Sequence, residues 1–323
     1  MPRVGLVLGA GGVVGQAYHS GVLAVLEHDF GFDARNVDII VGTSAGSITG
    51  TLLRFGVSSE DLAAWTVKAP LSGQDEFLRH ITEMPDPEFA PLQPLDLLRR
   101  PMRLPTLPMV RHALIHPWHF RPLAAGLALL APGEYDIVEQ LGALRELEKS
   151  PWPERDLWIC AVRRRDGRRV VFGRPGSPPA SIHLATAASC AVPGYFAPVQ
   201  IGDRGYVDGG AHSPTNAAIL RGQDLDLVIV ISPMTGPPGA YLNFFAASRR
   251  HSARLLHREV RALEGSGVPV LVFSPSDAEQ EVMGDDMMSR ARLSEVIQQS
   301  FLGAGARAAS PRARRLLRLA SGD

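Results

Sequence analysis

The chain has 323 residues, enough to bury a full core in one large domain. Its 33 basic and 33 acidic side chains cancel, which excludes a whole-molecule field favouring nucleic acid or another polyanion, so any charge argument has to be local. Two cysteines, Cys160 and Cys190, exclude a disulfide framework and a clustered zinc site, and a reducing, cytoplasmic compartment is the expectation.

Val4 to Leu8 is a short apolar segment, too brief for a signal-peptide core and broken at once by glycines; it reads as a first strand. A glycine-rich bend, Gly9 to Gly15, leads into an amphipathic helix through about His28. Val37 to Val41 repeats the strand, ends in Gly42-Thr43-Ser44-Ala45-Gly46 and passes into a helix over Ser47 to Phe55. Continuous apolar strands alternating with helices imply a parallel sheet covered on both faces, hence a three-layer α/β/α fold.

Residues 70–153 break into proline-punctuated pieces, which read as a mainly helical insertion capping the end of the sheet. Its most apolar run, Leu123 to Ala131, falls short of the ~20 residues that cross a bilayer. Residues 97–133 carry no acid, but they hold Arg99, Arg100, Arg103, Arg111 and Arg121 among leucines, prolines, histidines and Trp118. Such a stretch suits peripheral contact with anionic lipid headgroups; a merely solvated cap is the alternative.

The sheet resumes with strands at Leu157 to Val162 and Val170 to Phe172, a helix over Ile182 to Ser189, and a hairpin of Val199 to Ile201 with Tyr206 to Val207. Strands at Leu227 to Ile231 and Val268 to Phe273 follow, with helices over Phe244 to Leu263 and Ser289 to Phe301. The tail at 305–323, with Arg307, Arg312, Arg314, Arg315 and Arg318, is expected to be a frayed or partner-bound helix.

Ser44 stands where an apolar strand meets a helix, flanked two residues away by Gly42 and Gly46, the context of a nucleophile elbow. A glycine turn with a capping serine is the bland alternative. The first loop fails as a strict dinucleotide fingerprint, because Val14 stands where G-x-G-x-x-G needs glycine, although a looser spacing to Gly15 keeps a nucleotide-binding oxidoreductase open. Read instead as an oxyanion loop, Gly11, Gly12 and Val13 would offer bare amides at a helix N-terminus. Asp208 lies before Gly209 and Gly210 after the hairpin; by itself an aspartate there is a turn former. His19, His183 and His212 read as core or surface residues rather than a triad base.

The segments LGAGGVVGQAYHSGVL, VGTSAG and AVPGYFAPVQIGDRGYVDGG, in this order and spacing, resemble the patatin-like phospholipase family. The resemblance implies an α/β/α fold and hydrolysis of acyl esters of lipids without metal or cofactor. It also implies a Ser-Asp dyad of Ser44 and Asp208, with Gly11, Gly12 and Val13 in the oxyanion loop. Ala10 and Val14 depart from the family's usual glycine and basic residue; they leave room for a catalytically silent lipid-binding member. Whether Ala10 matters depends on its φ angle.

Overall fold

The computed structural model describes residues 2–71, 99–118, 120–236 and 244–321. Part of the expected insertion, residues 72–98, and His119 lie outside these. One mixed sheet runs from β1 (Val4–Leu8) and β2 (Ile39–Thr43) through β3 (Asp156–Arg163), β4 (Arg168–Phe172), β5 (Val199–Ile201), β6 (Arg204–Asp208), β7 (Leu227–Ile231) and β8 (Val270–Phe273), connected in the order β5-β6-β3-β2-β1-β7-β8 with β4 paired to β3 off this path. The parallel part is the expected one: β1, β2 and β7 are buried along their whole length, so apolar side chains are needed on both faces.

The other part is antiparallel. Only residues 164–167 separate β3 from β4, too few for a crossover, and Gly167 turns the chain at φ +68°. Gly202, at φ +61°, does the same between β5 and β6.

On one face, α1 (Gly12–Phe30), α2 (Ala45–Arg54), α7 (Ile182–Cys190) and α10 (Leu293–Ala308) share the main core, which includes Leu6, Leu8, Ile40, Leu157, Ile159 and Ala161 of the sheet. Helix α1 is buried almost all round because α10 lies over it; a Cβ on Gly21 would sit 2.0 Å from the Ser300 Oγ, so glycine sets that approach. On the opposite face, α8 (Phe244–Glu264) packs Leu256 and Leu263 with Val41, Trp158 and Val230. From the insertion, α4 (Leu107–Ile115) and α5 (Pro122–Leu129) pack Met109, Ala125, Ala128 and Leu129 with Val162 and Val207. The remaining helices are α3 (Ser59–Thr66), α6 (Ile137–Gln140), α9 (Asp277–Met283) and α11 (Pro311–Ser321).

The C-terminal run is a helix packed on the chain's own core rather than frayed. Helix α11 buries Ala313, Leu316 and Leu317, and Arg307 lies in α10, where it forms an ion pair with buried Glu279 at 2.7 Å. Apolar residues at i, i+3 and i+4 outweigh the arginines that share the segment.

Candidate active site

Strand β3 acts as the ruler for the site. Its residues 159 and 160 pair with β2 on one edge and β4 on the other, while residues 161–163 pair with β4 and β6. A strand has two edges, so β2 and β6 lie end to end along the same one. Thr43 pairs with Cys160, and Asp208 pairs with the next residue, Ala161. Because β6 runs against β2, their C-terminal ends converge, and the residues emerging there are Ser44 and Asp208.

Ser44 is the N-cap of α2, at φ 52° and ψ −123°, a left-handed φ that a non-glycine residue adopts only where the surroundings enforce it. Those surroundings are specific. A Cβ on Gly46 would lie 2.0 Å from the Leu8 carbonyl oxygen, and one on Gly42 would lie 2.5 Å from the Ser47 Cα. The Ser44 N–H donates to the Ser189 Oγ at 2.9 Å, and the Ser189 hydroxyl donates to the Cys160 carbonyl at 2.6 Å. Gly46→Ala is therefore expected to prevent accumulation of folded, soluble protein, since the clash is with backbone that cannot step aside; expression followed by a thermal melt checks this.

The Ser44 hydroxyl lies beside the Asp208 carboxylate and favours its charged form. Asp208 is 5% exposed, and burial pushes its pKa up to about 6, against the pull of the Ser44 hydroxyl and of the Gly210 N–H, which donates to Oδ1 at 2.6 Å. Cys190 borders the same pair, its thiol pushed well up by burial and by the Asp208 charge, so it stays neutral.

The glycine loop starts beside the elbow, because Leu8 pairs with Gly42. The Ala10 N–H donates to the Pro214 carbonyl and the Val14 N–H to the Met287 carbonyl, at 2.8 and 3.1 Å. Between them, the amides of Gly11, Gly12 and Val13 meet no backbone acceptor among the described residues. Gly12 has φ +59°, with the Met287 carbonyl 2.5 Å from where a Cβ would stand. Ala10 is not among the positive-φ residues, so alanine fits there without strain. Val14 is buried in the main core.

Two residues that sequence reasoning missed hold this geometry. Ser189 is one. The other is Asn216, fully buried at φ +53°, whose Nδ2 donates to Thr43 Oγ1 at 3.1 Å, to the Ser213 carbonyl at 2.7 Å and to the Gly209 carbonyl at 3.4 Å. Its Oδ1 accepts from Arg169 at 3.1 Å. It thus ties the residue before Ser44 to the residue after Asp208. Neither carries a sequence signal, since the contacts span 145 and 173 positions.

The histidines take other partners. His19 Nδ1 is 3.3 Å from Thr49 Oγ1, His183 Nε2 is 3.2 Å from the Val138 carbonyl, and His212 lies beside Asn216. Burial lowers all three pKa values, to about 3 for His19 and His212.

The patatin-like phospholipase profile matches residues 6–221. The chain belongs to this family. Both Ser44 and Asp208 fall inside the matched span, as does the glycine loop. VipD from Legionella pneumophila aligns over 95% of this patatin-like chain and 67% of its own length, at 13% identity and a TM-score of 0.44. The type III effector protein ExoU aligns over 98% and 54%, at 15% identity and a TM-score of 0.40, so the chain spans about half of ExoU. No curated protein matches significantly by sequence. Among the described residues, no helix of this patatin-like chain is long and apolar enough to cross a membrane.

Asn216→Ala is expected to lower kcat about ten- to a hundredfold with little change in KM, because it loosens the two strand ends without touching substrate. Asn216→Gly, free of any φ penalty, should be equally impaired; recovery in the glycine variant would mean that strain, not the lost hydrogen bonds, causes the defect. Steady-state kinetics on a soluble ester reads both.

Proposed function

We propose that the protein is a serine acyl hydrolase that cleaves acyl esters of phospholipids or other lipids through Ser44 and Asp208. The observation that carries this reading is the register that sets Ser44 beside a buried carboxylate, whose pKa of about 6 suits a base at neutral pH. As Ser44 Oγ attacks the ester carbonyl, its proton passes to Asp208; the amides of Gly11, Gly12 and Val13 and the N-terminal end of α1 stabilise the oxyanion. Collapse breaks the bond to the alcohol, which leaves with the proton from Asp208. Water then attacks the acyl-enzyme by the same route and restores the serine. The scheme uses no metal or cofactor.

The unstrained Ala10 and the buried dyad favour an active enzyme over a catalytically silent lipid-binding protein. The single-spaced convergence of β2 and β6 has no use in a dinucleotide site, which weighs against the oxidoreductase reading of Gly9 to Gly15. We read residues 1–323 as one domain with residues 70–153 as its cap, and residues 97–133 as the stretch that meets anionic membrane. Release of fatty acid from phospholipid, lysophospholipid, triglyceride and short-chain ester by wild type and by Ser44→Ala tests the reading. Turnover that survives in Ser44→Ala would overturn it.

A further inference from the structure

Helix α8 (Phe244–Glu264) buries one side against the sheet and exposes another that is strongly basic. Arg250, Arg254, Arg258 and Arg261 are spaced by four, four and three residues, which places them on one stripe. The last three are exposed, and exposed His251 and His257 lie beside them. Of the helix's two acids, Glu259 lies on the opposite, buried side, 6% exposed and accepting from Thr215 Oγ1 at 2.5 Å and from the Ala217 N–H at 2.9 Å, while Glu264, three residues after Arg261, pairs with Arg312 at 3.1 Å. None of the four arginines has a carboxylate within salt-bridge distance among the described residues. Arginines at i, i+4 repel one another, so the stripe weakens its own helix until an anionic surface covers it. In a chain of net charge zero, this is a local concentration rather than a reflection of composition.

The same helical layer carries an apolar crest. Around α4, Leu104 is 88% exposed, Leu107 81%, Leu114 76% and Trp118 95%. Side chains of Trp158, Cys160 and Val162 alternate along β3 and so point to one face. Helix α8 packs with Trp158 and Cys160, and α4 and α5 pack with Val162. Both groups therefore cover one side of the sheet. Nucleic acid would engage the arginines but not exposed leucines and a tryptophan, whereas a bilayer with anionic headgroups engages both.

We infer that the arginine stripe of α8 is a docking surface for anionic phospholipid headgroups, which holds the crest of Leu104, Leu107, Leu114 and Trp118 against the bilayer. It deepens the proposed lipid hydrolysis by naming the surface from which substrate is reached, and it rests on that reading only in this respect. The test uses the full chain carrying Ser44→Ala, so that no lipid is consumed, with phosphatidylcholine vesicles made with and without phosphatidylserine.

Cosedimentation is expected only with phosphatidylserine and should weaken as salt rises. Adding Arg254→Gln, Arg258→Gln and Arg261→Gln should lower vesicle affinity about a hundredfold, about fivefold per arginine. The same triple substitution with Ser44 intact should leave turnover of a soluble short-chain ester unchanged. Equal binding by the triple variant, equal binding to vesicles lacking phosphatidylserine, or retention by duplex nucleic acid but not by vesicles would each overturn the inference. Failure of the hydrolase reading shows separately, as absence of soluble-ester turnover in the wild type while vesicle binding persists.

Discussion

Ser44→Ala is expected to reduce ester turnover by at least about 10³-fold and to abolish labelling by a fluorophosphonate probe, with the fold retained. The size of the loss follows from what surrounds the hydroxyl. Ser47 donates its own hydroxyl to the Ser44 carbonyl at 2.7 Å, and Ser189 donates to the Cys160 carbonyl, so neither neighbouring serine offers a free nucleophile. The Cys190 thiol is held neutral by burial and by Asp208, and a neutral thiol is a poor substitute. Alanine keeps the left-handed φ at no greater cost than serine, and the amide bond to Ser189 is a backbone contact that survives the substitution. A thermal melt close to wild type together with lost turnover is the expected pair of results. Labelling that persists would mean that another serine carries the chemistry.

The elbow was legible in sequence because everything that makes it is local: an apolar strand, two glycines and a helix within 15 residues of one another. Asp208 was not legible in that way. Its place beside Ser44 is fixed by β3, which sets residues 43 and 208 against its consecutive residues 160 and 161, and a register across three distant strands leaves no periodic trace. Only the resemblance to a family singled it out. The antiparallel part is half legible: the sequence shows the β5–β6 hairpin, and β3 runs parallel to β2 as expected, whereas the apolar run of β4 does not state the direction that its short link to β3 imposes. In the basic tail, arginines hide the apolar i, i+3, i+4 pattern by which α11 packs on the core. Ser189 and Asn216 look like ordinary helix and turn residues, and only the folded contacts distinguish them.

Asp208→Asn is expected to remove most activity, on the order of 10²-fold or more, and at the same time to stabilise the fold at pH 8. Activity first: the base must be ionised to accept the Ser44 proton, so wild-type kcat/KM should rise with pH along a limb centred near 6, and the asparagine variant should lack that limb. Stability has the opposite dependence. Burial raises the folded-state pKa from the ordinary 3.8 to about 6, so the folded protein binds this proton more tightly than the unfolded chain does. The stabilisation from a protonated Asp208 is complete below about pH 4 and is lost as pH rises through about 6, because a charge must then be kept out of water. At about 1.4 kcal/mol per pKa unit, the cost at neutral pH is on the order of 3 kcal/mol. Asparagine is neutral throughout, close in shape, and can accept the Gly210 N–H through Oδ1, so it avoids this cost. Melting temperatures of the two proteins should therefore coincide near pH 4 and separate in favour of Asp208→Asn by pH 8. A difference that stays constant with pH would show that Asp208 is not a desolvated carboxylate, and the proposed base would lose its physical ground.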